Sequence, residues 1–150
     1  NNGINSVRTC LYRSESGKFE VLNNSIRFGI NGSLDNETSG GIVCNIDEKG
    51  HLNEYSVDKY ANKYYKHPNT NVNFKDINLP FYDELLVTAK SIADEILLGN
   101  MVSLDMCLNE DNNWKCIEAN LNCQTIRFAQ YAGKGFFGKY TDEVIKRFAN

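Results

Sequence analysis

The 150-residue chain has only two prolines, no CxxC pair and no surplus of positive charge, and it lacks an apolar run near the ~18 residues of a membrane span. Each shortage excludes something. Without an apolar run or an apolar opening segment, neither a spanning helix nor an intact signal peptide is expected. Sixteen basic against nineteen acidic residues leave a net charge of −3, the wrong balance for a general nucleic-acid binder, although it leaves room for a local basic patch. Five cysteines (Cys10, Cys44, Cys107, Cys116 and Cys123) are too sparse for a disulfide scaffold, so reduced and mostly buried thiols in a cytoplasmic protein are expected. There is no GxxxxGK(S/T) phosphate loop and no His/Cys zinc spacing. Scarce proline with 41% hydrophobic residues describes a chain that builds a core. Its 21 asparagines supply the turn residues that proline does not. The first residue is Asn1 rather than Met, and strand-forming sequence starts near Ser6, which reads as a piece of a longer protein.

One domain over residues 1–150 is expected, strand-rich in its first half. Residues 6–13 and 18–30 carry β-formers around Ser16-Gly17, and residues 41–47 and 51–57 repeat the pattern around Glu48-Lys49-Gly50. Residues 31–41, with Gly32, Gly40 and Gly41, form a loop; 60–78 is polar and turns at His67-Pro68. Over 81–97 the period changes: Leu85, Leu86, Ala89, Ile92, Ala93 and Ile96 recur at helical spacing, with Gly99 as a stop. Strands at 101–108 and 114–119 follow, then a glycine-bearing loop and a short helix at 141–148. The fold class is therefore α+β: a mostly antiparallel sheet with helices on one face.

The most specific local feature is the hairpin over 101–120. A turn centred between Asp111 and Asn112 sets Asp105 opposite Glu118 and Cys107 opposite Cys116, with Asp105, Glu118 and Asn120 on one face. Two facing carboxylates repel, and a divalent cation would offset that. Oxygen-only donors suit Mg²⁺ or Mn²⁺ rather than zinc. A solvent-facing acidic patch on an edge hairpin is the competing reading.

Ser103-Leu104-Asp105 followed by Cys116-Ile117-Glu118-Ala119-Asn120 resembles the paired metal-binding strands of ATP-grasp enzymes. Asn5-Ser6-Val7-Arg8-Thr9 resembles that family's arginine-bearing strand, and Ile26-Arg27-Phe28-Gly29 its next strand. Asn36-Glu37-Thr38-Ser39-Gly40-Gly41 resembles its glycine loop. With His67-Pro68 and Gln124, the series is most similar to sugar-transfer-associated ATP-grasp proteins over about residues 5–139. The resemblance implies that Asp105, Glu118 and Asn120 hold Mg²⁺ (or Mn²⁺) on the ATP phosphates. Arg8 would reach the γ-phosphate or an acyl-phosphate transition state, and Arg27 the phosphates or a substrate carboxylate. Asn36, Gly40 and Gly41 would line the phosphates and the acceptor. Phosphoryl transfer is catalysed mainly by positioned cations and donors, and these residue types meet that need.

The adenine-binding side, which precedes the arginine strand in relatives, has no counterpart here, and the Asn-Pro that often follows the metal asparagine is replaced by Leu121-Asn122-Cys123. The resemblance thus implies a carboxy-terminal lobe whose amino-terminal lobe lies elsewhere in the same protein. Its function would be that of a carboxylate ligase acting through an acyl phosphate, in cell-surface polysaccharide or peptide modification. Its partners would be ATP and a small carboxylate or amine, with residues 1–150 alone inactive. A non-catalytic binding module of the same shape is the rival reading. A thiol–metal site on Cys107, Cys116 and Cys123 is a third and weaker one.

Overall fold

The computed structural model describes residues 5–31, 39–122, 126–131 and 133–149. Its frame is one seven-stranded antiparallel sheet in the order β5-β4-β3-β2-β1-β6-β7. The strands are β1 (Ser6–Arg13), β2 (Phe19–Phe28), β3 (Ile42–Ile46), β4 (Leu52–Val57), β5 (Lys63–Tyr64), β6 (Met101–Leu108) and β7 (Trp114–Asn120). The helices are α1 (Tyr82–Asp94), α2 (Arg127–Tyr131) and α3 (Thr141–Phe148). Among the described residues no helix is long and apolar enough to cross a membrane.

Four of the hairpin turns are built alike, at Ser14–Lys18, Asp47–His51, Asp58–Asn62 and Asn109–Asn113. In each, the first residue's N–H donates to the fifth residue's carbonyl, and the fourth residue's N–H donates back to the first residue's carbonyl. The fourth position is left-handed every time: Gly17 at φ 81°, Gly50 at 88°, Ala61 at 65° and Asn112 at 60°. At the first position the side-chain oxygens of Asp47, Asp58 and Asn109 each accept two N–H groups of their own turn. Short Asx side chains favour this local bonding over a continued strand.

Strand alternation separates the two faces of the sheet. Val7 and Leu11 of β1, Ile26 of β2 and Leu104 and Met106 of β6 join Leu85, Ala89 and Ala93 of α1 in the main core. The opposite face carries Arg8, Cys10, Ser103 and Asp105, and α2 crosses there with Ala129 packed near Cys10. The helices therefore lie on both faces rather than on one. The glycine-bearing loop also holds the short helix α2, which has too few residues for a periodic pattern.

Helix α1 ends at Asp94, three residues short of the expected end, and Leu97 and Leu98 are 89% and 82% exposed. Asp94 and Glu95 place negative charge at the helix's own negative end, which disfavours another turn. Gly99, at φ 93°, serves the loop rather than a helix cap.

Candidate functional site

The central position of β1, between β2 and β6, makes the site. Arg8 pairs with Ser25 on one side and Asp105 on the other, and Asp105 pairs with Glu118. The next row on the same face runs Asn23, Cys10, Ser103, Asn120. Rows two residues apart on adjacent strands ~4.8 Å apart put all eight side chains on one polar face. Asp105, Glu118 and Asn120 share that face, as their spacing suggests.

The register near the turn differs from expectation. The turn is centred on Asp111, so Cys107 faces Lys115 and Met106 faces Cys116. A bulge at Ile117, left without a partner, restores the Asp105–Glu118 pairing. Cys107 and Cys116 therefore point to opposite faces and are free thiols. Removing the direct pair removes the geometry for a cross-strand disulfide or a shared thiolate site. Cys123 lies outside the described residues.

Asp105 is the hub of the charged row, 3% exposed. Its Oδ1 accepts Arg8 Nε–H at 2.8 Å and its Oδ2 accepts an Arg8 terminal N–H at 2.8 Å, a parallel fork between residues 97 positions apart. A terminal nitrogen of Arg27 approaches Oδ2 at 3.0 Å. The fork, and beyond it the charge of Glu118, hold the Arg8 guanidinium above its already high pKa, against the opposing effect of burial. Arg27 is itself held by Ser6, whose Oγ accepts its Nε–H at 3.0 Å and a terminal N–H at 2.6 Å. Ser6 is a positioning residue that motif reading passed over. Its signal was the period of two that puts Ser6 and Arg8 on one face.

Beside this row, Cys10 Sγ and Ser103 Oγ are 3.2 Å apart. Burial pushes the Cys10 thiol up, outweighing the Ser103 bond and the nearby Arg8 charge. Cys10 is thus a neutral packing group. Glu118 is exposed on the edge strand, and Asn120 is half-buried. Gly40, at φ 101°, and buried Gly41 lead into β3, where Val43 pairs with Arg27. Asn36 and Gln124 lie outside the described residues.

Among the described residues no group of three or more His, Cys, Asp or Glu side chains gathers to hold a metal. The expected ligands on the polar face, Asp105, Glu118 and the amide of Asn120, are oxygen donors, a hard set that fits Mg²⁺ in chemistry. Asp105 brings the least to it, because two of its roughly four lone-pair positions already accept Arg8 N–H groups and the Arg27 guanidinium lies 3.0 Å from Oδ2.

A protein-family model described as sugar-transfer-associated ATP-grasp matches residues 1–144. No curated protein and no solved structure gives a significant match to the chain.

Proposed function

We propose, from the premise that this chain belongs to the sugar-transfer-associated ATP-grasp family, that its polar sheet face is the metal- and phosphate-binding side of an ATP-dependent carboxylate ligase. Family membership implies use of a nucleotide and a metal; the acyl-phosphate route and the role of each residue are the proposal. The observation that carries it is the Arg8–Asp105–Glu118 row, flanked by Arg27 and Asn120, on one face of one sheet. Residues 1–150 then form one lobe, and a second lobe of the same protein supplies the adenine pocket.

Glu118 and Asn120 would hold the Mg²⁺, joined by Asp105 when its oxygens are open. When bound, that ion would supply charge neutralisation to the transferring phosphoryl group. Arg8 holds Asp105 with two of its five N–H donors, and the same planar fork matches phosphate oxygens. Arg27, fixed by Ser6, directs a second planar cation toward phosphate or the substrate carboxylate. Gly40 and Gly41 bring backbone without side chains to the strand beside Arg27. The acceptor carboxylate attacks the γ-phosphorus and ADP leaves, giving an acyl phosphate; an amine or another nucleophile then attacks the acyl carbon and expels inorganic phosphate.

Nucleotide binding by calorimetry tests the assignment. Glu118→Gln should weaken Mg²⁺-dependent ATP binding by about tenfold, the scale of one ~1.4 kcal/mol contact. Because Glu118 is exposed, its melting temperature should stay within a degree or two of the parent's. Unchanged Mg²⁺-dependent affinity in Glu118→Gln would remove this residue, and the metal position with it.

A further inference from the structure

We infer that the Arg8–Asp105 fork is a latch on the metal position: a di- or triphosphate ester takes the Arg8 fork, and Asp105 then becomes free to take the divalent cation. This rests on the phosphate-site reading above and adds an order of binding to it. With the latch closed, one Oδ1 lone-pair position of Asp105 is open, and two guanidinium groups lie within hydrogen-bond distance of the same carboxylate. Mg²⁺ requires near-octahedral oxygens at about 2.0–2.1 Å and gives up its waters reluctantly. A lone ion approaching Asp105 meets two fixed guanidinium charges and a carboxylate already engaged through both oxygens, so exposed Glu118 and half-buried Asn120 are left to hold it.

A phosphate chain changes both terms. Its oxygens match the planar Arg8 fork as a carboxylate does, and they carry more charge. Once Arg8 swings to phosphate, only Arg27 remains on Asp105, and Arg27 keeps its anchor on Ser6. Both Asp105 oxygens then regain the lone-pair positions that Arg8 held, on the face shared with Glu118. Because Asp105 and Glu118 pair directly across β6 and β7, no strand has to move for both to reach one ion. The coupling is reciprocal: a bound cation would equally loosen Arg8 for phosphate.

The latch makes a prediction that simple bridging of metal by phosphate does not: removing Arg8 should tighten metal binding when no phosphate is present. Mn²⁺ binding to the chain is followed by the electron paramagnetic resonance of the free ion, and pyrophosphate binding by calorimetry without metal. Arg8→Gln should bind Mn²⁺ at least about tenfold more tightly than the parent, the effect of deleting a unit charge a few ångströms from the ion. Adding Asp105→Asn should reverse the gain. Arg8→Lys keeps the charge but not the fork; it should fall between parent and Arg8→Gln, and it carries the test if Arg8→Gln fails to fold by circular dichroism. Pyrophosphate binding by the parent, with no gain in Mn²⁺ affinity in either Arg8 variant, would overturn the latch and leave the phosphate site standing. No pyrophosphate binding by the parent would overturn both.

Discussion

Gly50 and Gly17 occupy the same left-handed position in equivalent turns, but their surroundings differ. A Cβ on Gly50 would lie 3.0 Å from Tyr82 Cβ and Cγ and 3.0 Å from Asn78 Oδ1, whereas a Cβ on Gly17 would meet nothing within 4 Å. Gly17→Ala should therefore lose only the left-handed penalty, about 1–2 kcal/mol for an L-residue. Ala61, native at φ 65°, shows that alanine is accepted in such a turn. Gly50→Ala should lose that amount plus an overpacking cost of about 1–3 kcal/mol, because Tyr82 opens α1 and packs in the core. Urea midpoints at an unchanged slope measure both; equal losses would mean that α1 gives way at no cost. Arg8 and Asp105 obey the same residue-scale logic. Truncating one member of a largely buried ion pair strands the other, at about 3–5 kcal/mol.

Single elements are held by their ends. The β4–β5 turn closes on Asp58, whose Oδ1 accepts Tyr60 N–H at 2.9 Å and Asn62 N–H at 3.0 Å. Its Oδ2 accepts the Asn62 amide at 2.9 Å and the Tyr64 hydroxyl at 3.1 Å. Burial pushes this carboxyl up, but the Asn62, Tyr60 and Tyr64 bonds together outweigh it and leave the pKa below the ordinary aspartate value. A carboxyl lowered on folding contributes stability above its unfolded pKa of about 3.9 and loses it as pH falls through the lower folded value. The melting-temperature gap between the parent and Asp58→Asn should thus be present at pH 6 and close below about pH 4. A gap that persists at pH 2 would assign the stability to shape rather than charge. At the far edge of the sheet, Trp114 Nε1–H donates to the Phe81 carbonyl at 2.8 Å. That bond ties the start of α1 to β7, the strand that carries Glu118 and Asn120.

The molecule as a whole uses one sheet for two purposes, an apolar face under α1 and a polar face for charge. Its thiols report that division. Cys44 sits on the core face, where burial pushes its pKa up to about 12, while Cys10 is buried on the polar side. Cys107 and Cys116 are half-exposed on opposite faces of β6 and β7. In a Cys123→Ser background, two thiols should react with a disulfide reagent in the native state and two only after unfolding, as mass spectrometry of the labelled peptides would read. Mild oxidation should yield no intramolecular bridge between Cys107 and Cys116. That bridge, formed at native stability, would mean that the Ile117 bulge is absent and the two cysteines pair directly.

The amino-acid sequence by itself determined the turns at Ser16-Gly17 and Glu48-Lys49-Gly50, the apolar stripe of α1, the ends of β1 to β4, β6 and β7 within a residue or two and the common face of Glu118 and Asn120. All of these follow from rules that act over a few residues: the left-handed position of a turn, Asx bonding, and the periods of 2 and 3.6. The facing of Asp105 and Glu118 came instead with the bulge. The motif residues Arg8 and Arg27 were legible as well. Their attachment to Asp105 was not, because it depends on β1 entering the sheet between β2 and a strand almost a hundred residues later. Tertiary structure alone decided the Ile117 bulge, the anchoring of Arg27 on Ser6 and the crossing of α2 over the polar face. A bulge costs little locally and is selected by how the strand meets its neighbours, so no local pattern specifies it. The same non-local pairing turns two separate arginines and one carboxylate into a single buried ion cluster.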